Sequence, residues 1–193
     1  MNYYCLLFDR FESLDLFGPV EVLGKAPRAN LHYVSMTGGI ITGADSVRVD
    51  TERVDVLPPG SVFLIPGGMG TRSLVEDSVF LEKLGALVDS SSVVLSVCTG
   101  SALLAASGAL EGKRATSNKR AFEWVTGTGD ADWVGRARWV KDGKFYTASG
   151  VSAGIDMALA FVEDTYGREI AEDIAELIEY VRNDDPKEDP FAR

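Results

Sequence analysis

The sequence predicts a single α/β domain, a three-layer sandwich in which helices cover both faces of a mainly parallel sheet. Three observations predict it. Short apolar, β-branched runs alternate with helical patterns along the chain. The 193 residues, 46% hydrophobic and 25% charged, are globular in composition and numerous enough to bury a large core without staples. No internal repeat or low-complexity linker divides them, so residues 1–193 read as one domain.

The elements follow in order. "YYCLLF" (3–8) is the first strand, with Cys5 as core. Residues 13–25 repeat apolar side chains at helical spacing: Leu14, Leu16, Phe17, Val20 and Leu23. "LHYVSMT" (31–37) is the second strand, and residues 38–50 form a hairpin that turns at 43–46. "SVFLIPGG" (61–68) is a core strand ending in glycines, followed by a helix over 71–90. "SVVLSV" (92–97) leads into a small, Ala/Leu-rich helix over 99–107. A second hairpin over 139–147 turns at Asp142-Gly143 and feeds the strand "KFYTASG" (144–150). Helices over 152–166 and 168–181 precede the polar, Pro-containing tail "RNDDPKEDPFAR", expected to lie over the surface or a partner subunit. Trp124, Trp133 and Trp139 read as packing beneath loops.

Composition narrows the function. A net charge of −10 repels nucleic-acid phosphates and anionic membranes alike. Two cysteines make no disulfide framework, no Cys/His cluster suggests a metal, and no cofactor is implied. The start lacks the pattern of a signal peptide, and no apolar run reaches about 18 residues. A cytoplasmic protein acting on a small molecule is the expectation.

In an open parallel sheet, ligands gather at the carboxyl ends of the strands. Three features converge there: the loop after the first strand, the "PGGMG" loop, and Cys98 at the joint between "SVVLSV" and its helix. Helix N–H groups near Cys98 would favour its thiolate; small buried packing is the alternative. If the N–H groups of Gly68 and Thr99 face one pocket, they form an oxyanion hole; an ordinary glycine turn is the alternative. Asp15 lies where helical periodicity buries it, so its carboxyl is hydrogen-bonded or protonated, unless it caps the helix. The lone histidine, His32, sits in a distant strand-like run, so a Cys–His pair is absent unless His32 reaches the pocket. Acid–base work then falls to a carboxylate, and Asp15 is the candidate. It is expected to be protonated and to donate its hydrogen to the sulfur.

Together "LLFDRFESLDLFGPVEVL", "FLIPGGMGTRSL", "LSVCTGSALLAASGALEGKRATSNKRAFEWV" and "TASGVSAGIDMALAFVE" resemble the ThiJ/PfpI superfamily, over nearly the whole chain and in the right order. The resemblance implies a flavodoxin-like fold similar to class I glutamine amidotransferases, and a homodimer with the cysteine pocket near the subunit interface. Within it, "LDLFGP", Cys98-Thr99-Gly100-Ser101, "GVSAGID" and "IEY" with a "PF" tail are most similar to isocyanide hydratases. That likeness implies that Cys98 attacks the isocyanide carbon, that Asp15 shuttles protons, and that backbone around Gly67, Gly68 and Thr99 binds polar atoms. Asn118 stands where many relatives carry a histidine, which weighs against protease, hydrolase and glyoxalase chemistry and alters the pocket's polarity or size. Other readings are a ligand-binding domain like the sensing half of AraC-type regulators, and a cysteine redox sensor.

Overall fold

The structure is a computed structural model and describes residues 1–192. Its strands are β1 (Asn2–Leu6), β2 (Asn30–Ser35), β3 (Gly39–Thr42), β4 (Arg48–Arg53), β5 (Val62–Ile65), β6 (Val93–Val97), β7 (Arg114–Ala115), β8 (Asp132–Trp133), β9 (Trp139–Asp142) and β10 (Phe145–Ala148). Among the described residues, eight of them form one sheet in the order β3-β4-β2-β1-β5-β6-β10-β9, while β7 and β8 pair only with each other. From β4 to β10 neighbours run parallel; β3 and β9 join antiparallel at the two edges. Both expected hairpins are therefore present, and each places its second strand inside the parallel sheet.

The central strands explain this order. Every residue of β5 is buried, as a parallel strand covered on both faces requires. Cys5 lies between Tyr33 on one neighbour and Leu64 on the other, fully buried, in the core role expected of it. On one face α1 (Ser13–Leu23) packs against α6 (Ala153–Tyr166), which also packs on α7 (Arg168–Leu177). Their approach is close because both helices present glycine: a Cβ at Gly18 would stand 2.9 Å from the Ile155 side chain. The other face carries α2 (Thr71–Leu74), α3 (Ser78–Ser90) and α4 (Gly100–Ala106). A short α5 (Phe122–Thr126) lies beside α4.

Two helix boundaries and the course of the tail differ from the sequence reading. The helix expected over 71–90 is two helices, because the Asp77 side chain accepts the Phe80 N–H at 3.0 Å and starts α3 afresh. The last helix stops at Leu177 rather than 181, with Glu179 in the left-handed region at φ 51°. The tail beyond it folds back onto its own chain. Arg138, 5% exposed, pairs with fully buried Asp156 at 2.5 Å, and Asp156 also accepts Asn183 N–H at 2.9 Å and Tyr180 O–H at 3.2 Å. Arg138 N–H donates to Pro186 O, and its guanidinium stands 3.9 Å from Asp189. One buried cation thus staples residues 180–189 to the body.

Candidate active site

Cys98 occupies the turn between β6 and α4 at φ 57°, a conformation L side chains rarely adopt. Its backbone is clamped on every side. The N–H is shared between Ala148 O (3.2 Å) and Ser149 O (2.8 Å), and the carbonyl accepts Ser101 Oγ (3.0 Å) and Ser117 Oγ (2.8 Å). A Cβ at Gly100 would stand 2.5 Å from Ile65 O, so only glycine lets the helix begin against the end of β5.

Asp15, on the first turn of α1, is completely buried. The N-cap position belongs to Glu12, which makes no side-chain cap, so Asp15 is not a helix cap. Its Oδ2 accepts Gly67 N–H at 3.0 Å; no N–H or O–H donor reaches Oδ1, and the Cys98 thiol adjoins the carboxyl. Burial pushes this acid up to about 7, helped by the charge of Glu12 and opposed by the Gly67 N–H and the Cys98 thiol.

Cys98 itself is pushed up to about 12, first by burial and then by the Asp15 charge. The Thr99 and Val151 N–H groups and the Asn118 side chain act the other way as donors to sulfur. The expectation of a lowered thiol pKa is therefore corrected. Helix α4 is only seven residues long, and the loss of water outweighs its dipole. Because burial raises both acids, the pair keeps at least one proton near neutrality.

The glycine loop is arranged differently from the expected oxyanion hole. Gly68 N–H donates to Thr99 Oγ1 at 3.0 Å, and Gly67 N–H is spent on Asp15, so neither is open to a ligand. Both glycines are required all the same: at Gly68, φ 130°, a Cβ would stand 2.5 Å from Arg10 O and Glu12 N. The pair of N–H groups turned toward sulfur comes from Thr99 and Val151. Val151, at φ 29°, was missed because it lies 53 residues from Cys98 and reaches it only through the β6–β10 pairing. Asn118 lies beside the sulfur: its Oδ1 accepts Arg120 N–H (2.9 Å) and Ala121 N–H (3.1 Å), which leaves the Nδ2 donor for Cys98.

Asn118 and Val151, whose donors face the sulfur, also line a cleft of about 480 Å³ with Arg120, Gly150, Pro190 and Phe191 among others; Cys98 and Asp15 adjoin it through these two residues and are not in its lining. Sequence reasoning missed the tail's part in it. His32 is not there: it stacks on Tyr4 (centroids 4.5 Å apart) and contacts Asn30 at 2.9 Å, away from the carboxyl ends of the strands. Trp139 is buried, Trp133 packs edge-on to Phe122, and Trp124 lies under Arg72. Among the described residues, no three His, Cys, Asp or Glu side chains are grouped to hold a metal, and no helix is long and apolar enough to cross a membrane.

The model of the DJ-1/PfpI family matches residues 1–164. The chain is 33% identical over 176 residues to the isonitrile hydratase of Pseudomonas putida, covering 91% of this chain and 76% of that one. It is 27% identical to the HTH-type transcriptional regulator CdhR of Pseudomonas aeruginosa, covering 91% of this chain and 54% of the regulator. The crystal structure of a ThiJ/PfpI family protein from Pseudomonas syringae superimposes with a TM-score of 0.81 at 26% identity, covering 94% of this chain and 76% of that one. A flavodoxin-like sheet, a clamped cysteine at the end of β6 and a family match over most of the length lead to one assignment: the chain belongs to the DJ-1/PfpI family.

Proposed function

We propose that the protein is a cysteine-dependent hydratase of small isocyanides, converting R–N≡C and water to R–NH–CHO. Cys98 is the nucleophile and Asp15 the proton carrier. The observation that carries the reading is the Asp15 carboxyl, fully buried beside the Cys98 thiol with one oxygen lacking any N–H or O–H donor. The likeness to an isonitrile hydratase supports it, and so does a carboxyl that titrates near neutrality, where a general base is most effective.

The steps balance as follows. Asp15, as carboxylate, takes the thiol proton while sulfur bonds to the isocyanide carbon; the proton then passes to that carbon, giving the thioimidate R–N=CH–S. Water adds to the same carbon and its proton goes to nitrogen. Asp15 takes the proton of the added hydroxyl as the carbonyl forms and the C–S bond breaks, passes it to the departing sulfur, and the formamide leaves. Thr99 N–H, Val151 N–H and Asn118 Nδ2 stabilise negative charge on sulfur as it develops and again as it departs. The sequence-based assignment of Gly67 and Gly68 becomes indirect: they orient Asp15 and Thr99.

The test is hydration of an aryl isocyanide by the purified protein, followed by formamide appearance, with Cys98→Ala and Asp15→Asn as controls. Full turnover retained after either substitution overturns the assignment. A second reading, a pocket that binds a ligand without chemistry, is favoured by the thiol's rise to about 12. Alkylation of Cys98 at graded pH separates the two, since an inert pocket shows no rate limb near neutrality. Homodimer assembly belongs to the same proposal and is checked by sedimentation.

A further inference from the structure

We infer that the cleft beside Cys98 selects small molecules carrying a carboxylate, with Arg120 as the residue that determines this specificity. The inference deepens the hydratase reading and rests on it for the reacting group, so the substrate class becomes an isocyanide with an acidic substituent.

Charge at the cleft is the opposite of charge over the whole chain. The net charge is −10, yet the cleft lining contains Lys119 and Arg120 and no Asp or Glu among the described residues. Among those residues the exposed Arg120 guanidinium makes no hydrogen bond or ion pair, like those of Arg10, Arg28, Arg48 and Arg114, but it alone of the five lines the cleft, whereas Arg53, Arg136, Arg138, Arg168 and Arg182 each hold a carboxylate. The Lys119 ammonium donates to two neutral oxygens, Thr116 Oγ1 at 2.8 Å and Ala137 O at 2.6 Å. The nearby acid, Asp189, is turned to the Phe191 N–H (2.8 Å) and toward Arg138. Among the described residues the Arg120 guanidinium is therefore the cleft's cation without a partner, while Lys119 feels the charge of Asp189.

Position links Arg120 to the sulfur. The Asn118 amide donates to Cys98 on one side and accepts the Arg120 backbone N–H at 2.9 Å on the other, so one side chain links the reacting atom to the backbone of the residue that carries the cation. Val151, Pro190 and Phe191 supply an apolar wall to the same cleft. A molecule with its reactive carbon at sulfur, a short apolar body and a terminal carboxylate matches the three in turn. Guanidinium suits the last because its planar fork pairs with both carboxylate oxygens.

The test compares alkylation of Cys98 by iodoacetate and by iodoacetamide, reagents that differ in charge and share a leaving group, with Cys98 labelling read by mass spectrometry. Arg120→Gln is expected to lower the iodoacetate-to-iodoacetamide rate ratio roughly five- to tenfold, Arg120→Lys to restore part of it, and about 0.5 M sodium chloride to reduce it in the unaltered protein. A ratio that Arg120→Gln changes by less than about twofold, or failure of both reagents to label Cys98, overturns the inference. A companion assay sets isocyanoacetate against its methyl ester. Charge-selective labelling with neither isocyanide hydrated rejects the hydratase and leaves the anion site. Equal hydration of the two, with a ratio insensitive to Arg120→Gln, rejects the anion site and leaves the hydratase.

Discussion

Gly67 and Thr99 approach so closely that a Cβ at position 67 would stand 2.6 Å from the Thr99 nitrogen and 2.8 Å from Asp15 Oδ2. That crowding joins the loop after β5, the first turn of α1 and the residue after the cysteine. Gly67→Ala must displace one of them. The expected cost is about 1–3 kcal/mol by thermal unfolding, with loss of hydration beyond what lost stability explains.

Asp15 makes stability fall as pH rises. Its carboxyl is pushed up to about 7 in the folded protein and titrates near 3.9 when unfolded, so the folded state binds the extra proton between those values. The contribution is complete below pH ~4 and is lost as pH climbs through about 7. Asp15→Asn removes it. Relative to the unaltered protein, the variant should gain on the order of a few kcal/mol between pH 4 and 8 in urea unfolding.

Activity should follow the same group in the opposite sense. In the proposed chemistry the carboxylate is the working form, so kcat/KM is expected to rise with pH through a limb near 7. Asp15→Asn should abolish that limb and lower the rate roughly a hundredfold or more. Cys98→Ala should leave only background hydration.

Asn118→Asp places a carboxylate against the sulfur in place of an N–H donor. Like charge should raise the thiol further and slow alkylation at pH 8 by roughly tenfold, each pKa unit being worth that factor in thiolate. Asn118→Ala, which only removes the donor, should have the smaller effect.

Arg138→Met leaves Asp156 as a buried charge without its counter-ion. The expected loss is about 3–5 kcal/mol, with residues 180–192 becoming quick to exchange amide hydrogens. Arg138→Met combined with Asp156→Leu should recover part of that loss, because the stranded charge is gone.

What could be read in the sequence depended on how far each contact reached along the chain. Asp15 was legible because one helix's periodicity buries it, and Cys98 because strand and helix patterns meet at it. The direction of the Gly68 N–H was not, since it depends on which way the Thr99 side chain turns. Val151 and the tail were hidden for a different reason: strand order carries Val151 to the sulfur, and the Arg138–Asp156 pair carries the tail to the cleft. Helices α2 and α3 merged into one apolar pattern because their break is a capping side chain, Asp77, rather than a glycine or proline. The two-residue strands β7 and β8 are too short to leave any period.

The stapled tail separates two properties that usually change together. Pro190 and Phe191 border the cleft, yet the segment that leads to them is fastened by Arg138, just before β9, and by Asp156 of α6. Anyone seeking to retune which molecules enter can vary that border and its fastenings while the bond-making atoms stay where they are. Variants arising there should surface as changed preference among compounds, and those around position 98 as silence toward all of them.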